Sequence, residues 1–143
     1  MSANLIQPSS YLRRVLWADA IVSATVGAVM VLGAGALQEL LGLPSSLLLV
    51  AGLALFPFVA YVGWLATRAE VARAAVWVPI ALNVVWAADC LLLLLVEDLR
   101  PTLLGEAFIG LHIVTVLVFA EAEFIGLRRA LSLPRAVNTQ HHA

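Results

Sequence analysis

Arg13–Leu32, RRVLWADAIVSATVGAVMVL, decides the fold. Two arginines and a tryptophan lead an apolar run in which Asp19 is the one charged residue. A helix needs about 20 mainly apolar residues to cross a hydrocarbon layer of roughly 30 Å, and this stretch is that long. The pattern returns three more times, giving four transmembrane spans at about 12–32, 47–67, 76–96 and 103–127 within one transmembrane domain, 1–143. The chain therefore reads as all-α, an integral membrane four-helix bundle that short connections wind up-down-up-down.

Composition agrees. Hydrophobic residues make up 63% of the 143 and charged residues 12%, against about 45–50% and roughly 25% in soluble domains. A water-soluble core cannot absorb that much apolar surface, and no length is left for a separate soluble domain. A net charge of −1 offers no footprint for nucleic acid. Every basic residue is an arginine, and the single Cys90 lies inside an apolar run, so neither an internal disulfide nor a CxxC pair can form.

Ala34-Gly35-Ala36 has the small-x-small pattern of a signal-peptide cleavage site. The run before it exceeds the roughly 7–15 residues of a signal core and contains Asp19, which favours a retained first span. Pro8-Ser9-Ser10 supplies a helix start with a serine N-cap. Leu37, Leu40 and Leu41 fall on one face opposite Gln38, so 36–42 reads as a short interfacial helix ended by Gly42 and Pro44. Ser45 and Ser46 are expected to cap the second span, Pro57 to kink it, and Pro79 to sit in the first turn of the third. Residues 68–75 read as a polar turn and 129–143 as a polar tail containing His141 and His142.

Orientation follows from the arginines. Arg13, Arg14, Arg68, Arg73, Arg128, Arg129 and Arg135 fall at one end of the four spans and Arg100 at the other, which puts both termini in the cytoplasm. Trp17, Trp64 and Trp77 each lie about one turn from an arginine at that end, as an interfacial aromatic belt requires. Trp17-Ala18-Asp19 and Trp86-Ala87-Ala88-Asp89 invite a reading as two tandem helical hairpins, one repeating the other.

The informative residues are those that cost free energy where they sit. A carboxylate at mid-span costs about 2.5–3.5 kcal/mol, while each large apolar residue returns only about 0.3–0.6. Counted along the spans, these residues form two layers. The inner layer holds Asp19, Tyr61, Glu121 and Glu123; the outer holds Asn83, Trp86, Asp89 and His112. Asp19 shares a face with Ser23 and Met30, and Ala20, Ala24, Gly27 and Ala28 allow a neighbouring helix close. Glu121 and Glu123, about 200° apart around a helix, cannot face the same partner; Glu123 shares its stripe with His112.

Three contacts are expected. The inner carboxylates reach the arginines or snorkel to the headgroups, the Trp86 indole N–H finds an acceptor in Asp89 or Asn83, and Asp89 hydrogen-bonds His112 across two spans. His112 is the one histidine outside the tail, which leaves no pair for a bundle haem and no His/Cys set for zinc. No cofactor, no metal and no catalytic motif is expected.

Tyr11-Leu12-Arg13-Arg14-Val15-Leu16 with Asp19 and Ser23, the Leu41-Gly42-Leu43-Pro44 turn and Leu127-Arg128-Arg129 together resemble a group of small, uncharacterised four-helix bacterial membrane proteins. The resemblance implies this fold and a bacterial inner-membrane address, and brings no catalytic residue. In size, and in a carboxylate on the first span, the chain is also similar to the small multidrug resistance transporters, although their flanking pattern is missing around Asp19.

Two functions compete. The first is a non-enzymatic accessory, assembly or interaction subunit whose polar groups fix packing and partner choice. The second is an oligomeric, proton-linked small-molecule transporter or ligand-binding bundle that uses the intramembrane carboxylates. Both imply the lipid bilayer and either a second copy or another membrane protein as partners.

Overall fold

The computed structural model describes residues 4–132, and Arg135, His141 and His142 lie outside that range. Five helices and two short strands follow one another: β1 (Leu5–Ile6), α1 (Ser10–Leu32), α2 (Ala34–Leu41), α3 (Ser45–Thr67), β2 (Val71–Ala72), α4 (Arg73–Leu93) and α5 (Leu103–Ser132). Four of the helices, α1, α3, α4 and α5, are long and apolar enough to span a membrane. The result is an all-α four-helix membrane bundle.

Local chemistry sets the boundaries. Ser9 is the N-cap of α1, its side chain accepting the Leu12 N–H at 3.2 Å. Gly42 takes the left-handed conformation with φ 68° and ends α2, its N–H returning to the Gln38 carbonyl. The serines expected to cap α3 do not: Pro44 holds that position, and Ser45 donates its backbone N–H to the Gln38 side chain at 2.8 Å. Helix α4 starts at Arg73 rather than near Val76, which puts Pro79 in the helix interior instead of its first turn. Helix α5 continues to Ser132, so the expected tail begins at least four residues later than residue 129.

Two helical hairpins are the packing units. Helix α1 packs most extensively on α3 and α4 on α5, the hairpins join through α1 and α5, and α3 barely touches α4. At the first seam the backbones come close: a Cβ at Gly52 would lie 3.0 Å from the Gly27 carbonyl oxygen, and one at Gly27 3.1 Å from that of Gly52. Gly126 lets α5 approach Leu12 of α1 just as closely. The two Trp-carboxylate pairs occupy unlike places, however. Asp19 is buried and Trp17 exposed, whereas Asp89 is exposed and Trp86 half-buried.

Both ends are tied. At the arginine-rich end β1 pairs antiparallel with β2, Leu5 opposite Ala72 and Ile6 opposite Val71, and the Arg73 N–H donates to the Asn4 carbonyl at 2.9 Å. Ile6 and Val71 are buried beneath this ribbon, which replaces the expected polar lead and polar turn. Arg13 donates to the Arg68 carbonyl at 3.1 Å, joining the start of α1 to the end of α3. At the far end Thr102 clamps α2, donating its N–H to the Leu41 carbonyl at 2.9 Å and its hydroxyl to that of Leu40 at 2.7 Å. A Cβ at Gly105 would collide with the Leu41 carbonyl, so only glycine fits there.

Trp17, Trp64 and Trp77 are 43%, 46% and 40% exposed at the arginine-rich end, as a belt facing lipid requires. The arginines there rest on aromatic faces. Arg68 stands 4.8 Å from the Trp64 ring, Arg129 4.6 Å from Tyr11 and Arg128 5.8 Å from Phe124.

Candidate functional site

Each helix buries a stripe of residues three and four apart, and the polar groups of interest replace apolar residues within those stripes. On α1 the stripe runs Leu12, Leu16, Asp19, Ser23, Gly27, Met30; on α4, Val76, Ile80, Asn83, Ala87; on α5, Ile109, Val116, Ala120, Glu123, Leu127. Asp19 stands nine residues after Ser10, Asn83 ten after Arg73, and Glu123 nine before Ser132. At about 1.5 Å per residue all three lie roughly 14 Å from the arginine-rich ends of their helices, where α1, α4 and α5 meet.

They form one cluster. Asp19 accepts from the Ser23 hydroxyl at 2.9 Å through one oxygen and from the Asn83 amide at 2.8 Å through the other. Asp19 and Glu123 are 0% exposed, Asn83 3% and Ser23 8%. The Glu123 carboxyl adjoins Asp19 and Asn83, yet neither of its oxygens closes a hydrogen bond. The expected pairing of these carboxyl groups with arginines is therefore not what Asp19 makes. Asp19 turns to polar neighbours of its own bundle, because the arginines lie at the helix ends.

The two-layer reading needs correction at Asn83, which belongs with Asp19 and Glu123. The ridge Asn83, Trp86, Asp89 climbs about 9 Å along α4, and its lower end meets the inner layer while its upper end does not. Tyr61 lies near the cluster but gives its hydroxyl to the Ala75 carbonyl at 2.9 Å, joining α3 to the start of α4. Glu121 is exposed on the opposite face of α5 from Glu123, as the angle between them requires.

The remaining expectations fail in an informative way. The Trp86 indole N–H is buried and has no acceptor, neither Asp89 nor Asn83. Asp89 is exposed, and the partners of His112 are aromatic instead: its ring centroid is 6.2 Å from that of Trp86 and 5.7 Å from that of Phe108. Trp86 covers His112, and Asp89, about 60° further around α4, lines the same hollows without bonding to it.

The weak α3/α4 contact leaves a cleft. A hollow of about 400 Å³ reaches from Tyr61 and Phe58 on α3 to Asn83 and Trp86 on α4, with Ser23 and Val116 also in its wall. A second hollow, of about 260 Å³, continues toward the far end and shares Ala54, Trp86, Asp89 and His112 with the first. A third, of about 220 Å³, lies between α1 and α5 and again includes Ser23 and His112. Ser23 and Asn83, the hydrogen-bond partners of Asp19, line the first hollow and separate the buried carboxyl groups from the cleft. Among the described residues no three His, Cys, Asp or Glu side chains come together as a metal site.

Sequence reasoning found Asp19, Asn83, Glu123, Trp86 and His112 as residues to watch, but missed that Ser23 is a ligand of Asp19 and that Cys90 lines the cleft. The i, i+4 spacing of Asp19 and Ser23 was the available signal. Fold and site together define a multi-pass membrane bundle with a buried carboxyl pair beside a lateral cleft. No protein-family model, no curated protein and no solved structure matched the chain.

Proposed function

We propose that this protein is a ligand-binding membrane bundle in which a proton or cation held between Asp19 and Glu123 is linked to occupancy of the α3/α4 cleft. One observation carries the reading: the Glu123 carboxyl is fully buried beside a second carboxyl group, and both of its oxygens lack partners. Polar groups that serve only to fix packing are hydrogen-bonded. Two touching carboxyl groups in a medium of low dielectric cannot both carry charge uncompensated, so this site closes with a proton or cation between them. Ser23 and Asn83, which hold Asp19, also face the cleft, and that gives an occupant of the cleft a direct route to the pair.

A bacterial inner-membrane address, with the arginine-rich end in the cytoplasm, goes with this reading. Arg13, Arg14, Arg68, Arg73, Arg128 and Arg129 at one end against Arg100 at the other support that orientation.

Infrared difference spectroscopy of the protein in lipid, in H2O and D2O, tests the pair. A buried carboxylic-acid band that disappears in both Glu123→Gln and Asp19→Asn is expected if they share a proton. Absence of that band, with no sodium or potassium dependence of the carboxylate bands, rejects the reading.

The second reading, an accessory or assembly subunit, is favoured by Glu121. Its carboxylate is exposed on the outer face of α5, seven residues inside Arg128, where a donor from a second chain would satisfy it. Native mass spectrometry from the membrane separates the two: a stoichiometric foreign subunit supports the accessory role, and a homo-oligomer or a monomer carrying a small molecule supports the bundle as a ligand binder.

A further inference from the structure

The cleft has its own chemical signature, apart from the carboxyl pair. Trp86 stands where the two hollows join, and its buried indole N–H has no acceptor among the described residues. A donor left unpaired in an apolar site costs free energy that an acceptor brought by a ligand recovers. Beside it the His112 ring lies between the rings of Trp86 and Phe108. The remaining wall near Trp86 is mostly aliphatic, with Ala54 and Met30 on the helices opposite, and Asp89 and Cys90 on α4 are its polar members.

Depth narrows the occupant. Trp86 precedes Leu93, the last residue of α4, by seven residues, which places its indole roughly 10 Å below that end of the helix. Phospholipid carbonyls lie at the border of the hydrocarbon layer, and acyl chains carry no acceptor to this depth. The missing partner is an acceptor on an apolar molecule that itself enters the membrane, and a ring carbonyl is such an acceptor. A flat ring suits the aromatic wall, because rings stack on or against Trp and His at the distances seen here. The larger hollow, of about 400 Å³, falls in the range of sites for small organic ligands.

We infer that the junction of the two hollows at Trp86 binds a flat, apolar carbonyl compound of the quinone class, with the Trp86 indole N–H donating to a ring carbonyl and His112 packed along the ring. The molecule enters sideways from lipid through the gap between α3 and α4. This rests on the reading of the cleft as a ligand site and deepens it; the contacts at Trp86 and His112 involve neither Asp19 nor Glu123.

The test is solution NMR of the nitrogen-15-labelled protein in nanodiscs, titrated with decylubiquinone. Four tryptophans give four indole signals, and Trp86→Phe identifies the one that matters. That signal should shift saturably to lower field, while those of Trp17, Trp64 and Trp77 stay in place. Trp86→Phe should weaken binding about five-fold, as expected for loss of one hydrogen bond of roughly 1 kcal/mol. Ala54→Phe, which fills the junction and leaves Trp86 intact, should abolish the saturable shift. An unmoved Trp86 signal overturns the inference, and so does an equal shift with decylbenzene, which has the ring and chain but no carbonyl. Glu123→Gln separates this inference from the proton-linked reading: it removes the carboxyl band and leaves the quinone-induced shift in place.

Discussion

Helix α3 lies beside two other spans, α1 and α4, and treats them differently. Against α1 it closes until the Gly27 and Gly52 backbones touch; against α4 it stands off and leaves a cleft. Both faces of α3 are apolar, so hydrophobicity does not explain the contrast. In lipid an apolar side chain gains little from exchanging an acyl chain for another side chain, and helices close where small residues let backbones approach or polar groups join them. The α1/α3 seam has glycines on both sides. The α3/α4 seam has Phe58, Leu82, Val85 and Trp86 around it, with one backbone-directed tie from Tyr61 at its end. Of these two seams of α3, the open one is thus the one without a glycine pair.

The largest test of this contrast is Gly52→Leu. It should destabilise the bundle by about 2–3 kcal/mol through overpacking, seen as earlier unfolding in a denaturing-detergent titration. An unchanged midpoint would mean that the sealed seam is not a tight contact. Asp19→Leu should cost about 1–2 kcal/mol, since it strands the Ser23 hydroxyl and the Asn83 amide between α1 and α4. Replacing Glu123 by Leu should cost about 1 kcal/mol, because it removes the proton or cation shared with Asp19. A gain of similar size would instead show that the buried acid has no bond within the bundle. Smallest of all, Ala54→Leu on the cleft side of α3 should move the midpoint by no more than about 0.5 kcal/mol. Two residues on one helix, Gly52 and Ala54, would then differ several-fold in tolerance to the same side chain.

Much of the fold was legible because the bilayer imposes it. Span length, the arginines at one end and the tryptophan belt follow from residue type and position alone, and Asp19, Ser23 and Met30 share a face by helical geometry. The opposite placement of Glu121 and Glu123 was legible for the same reason. What stayed hidden depends on how the spans pair. Asn83 could be matched to Asp19 only by knowing that α4 begins at Arg73 and lies against α1 and α5 near that height. Lipid-facing and partner-facing surfaces of these helices are equally apolar, so the sequence does not mark which seam closes. Strands of two residues, such as Leu5–Ile6 and Val71–Ala72, are too short to show an alternating pattern.

That ribbon bears on how the protein is made. Leu5–Ile6 emerges from the ribosome well before Val71–Ala72, with two membrane crossings synthesised in between. Its strands can meet only if both crossings are complete and the two segments lie on the same side of the bilayer. A hairpin inserted with one helix stranded leaves Ile6 and Val71 unburied and the Asn4 carbonyl without the Arg73 N–H. The clasp therefore closes only over a first hairpin whose two crossings are both complete.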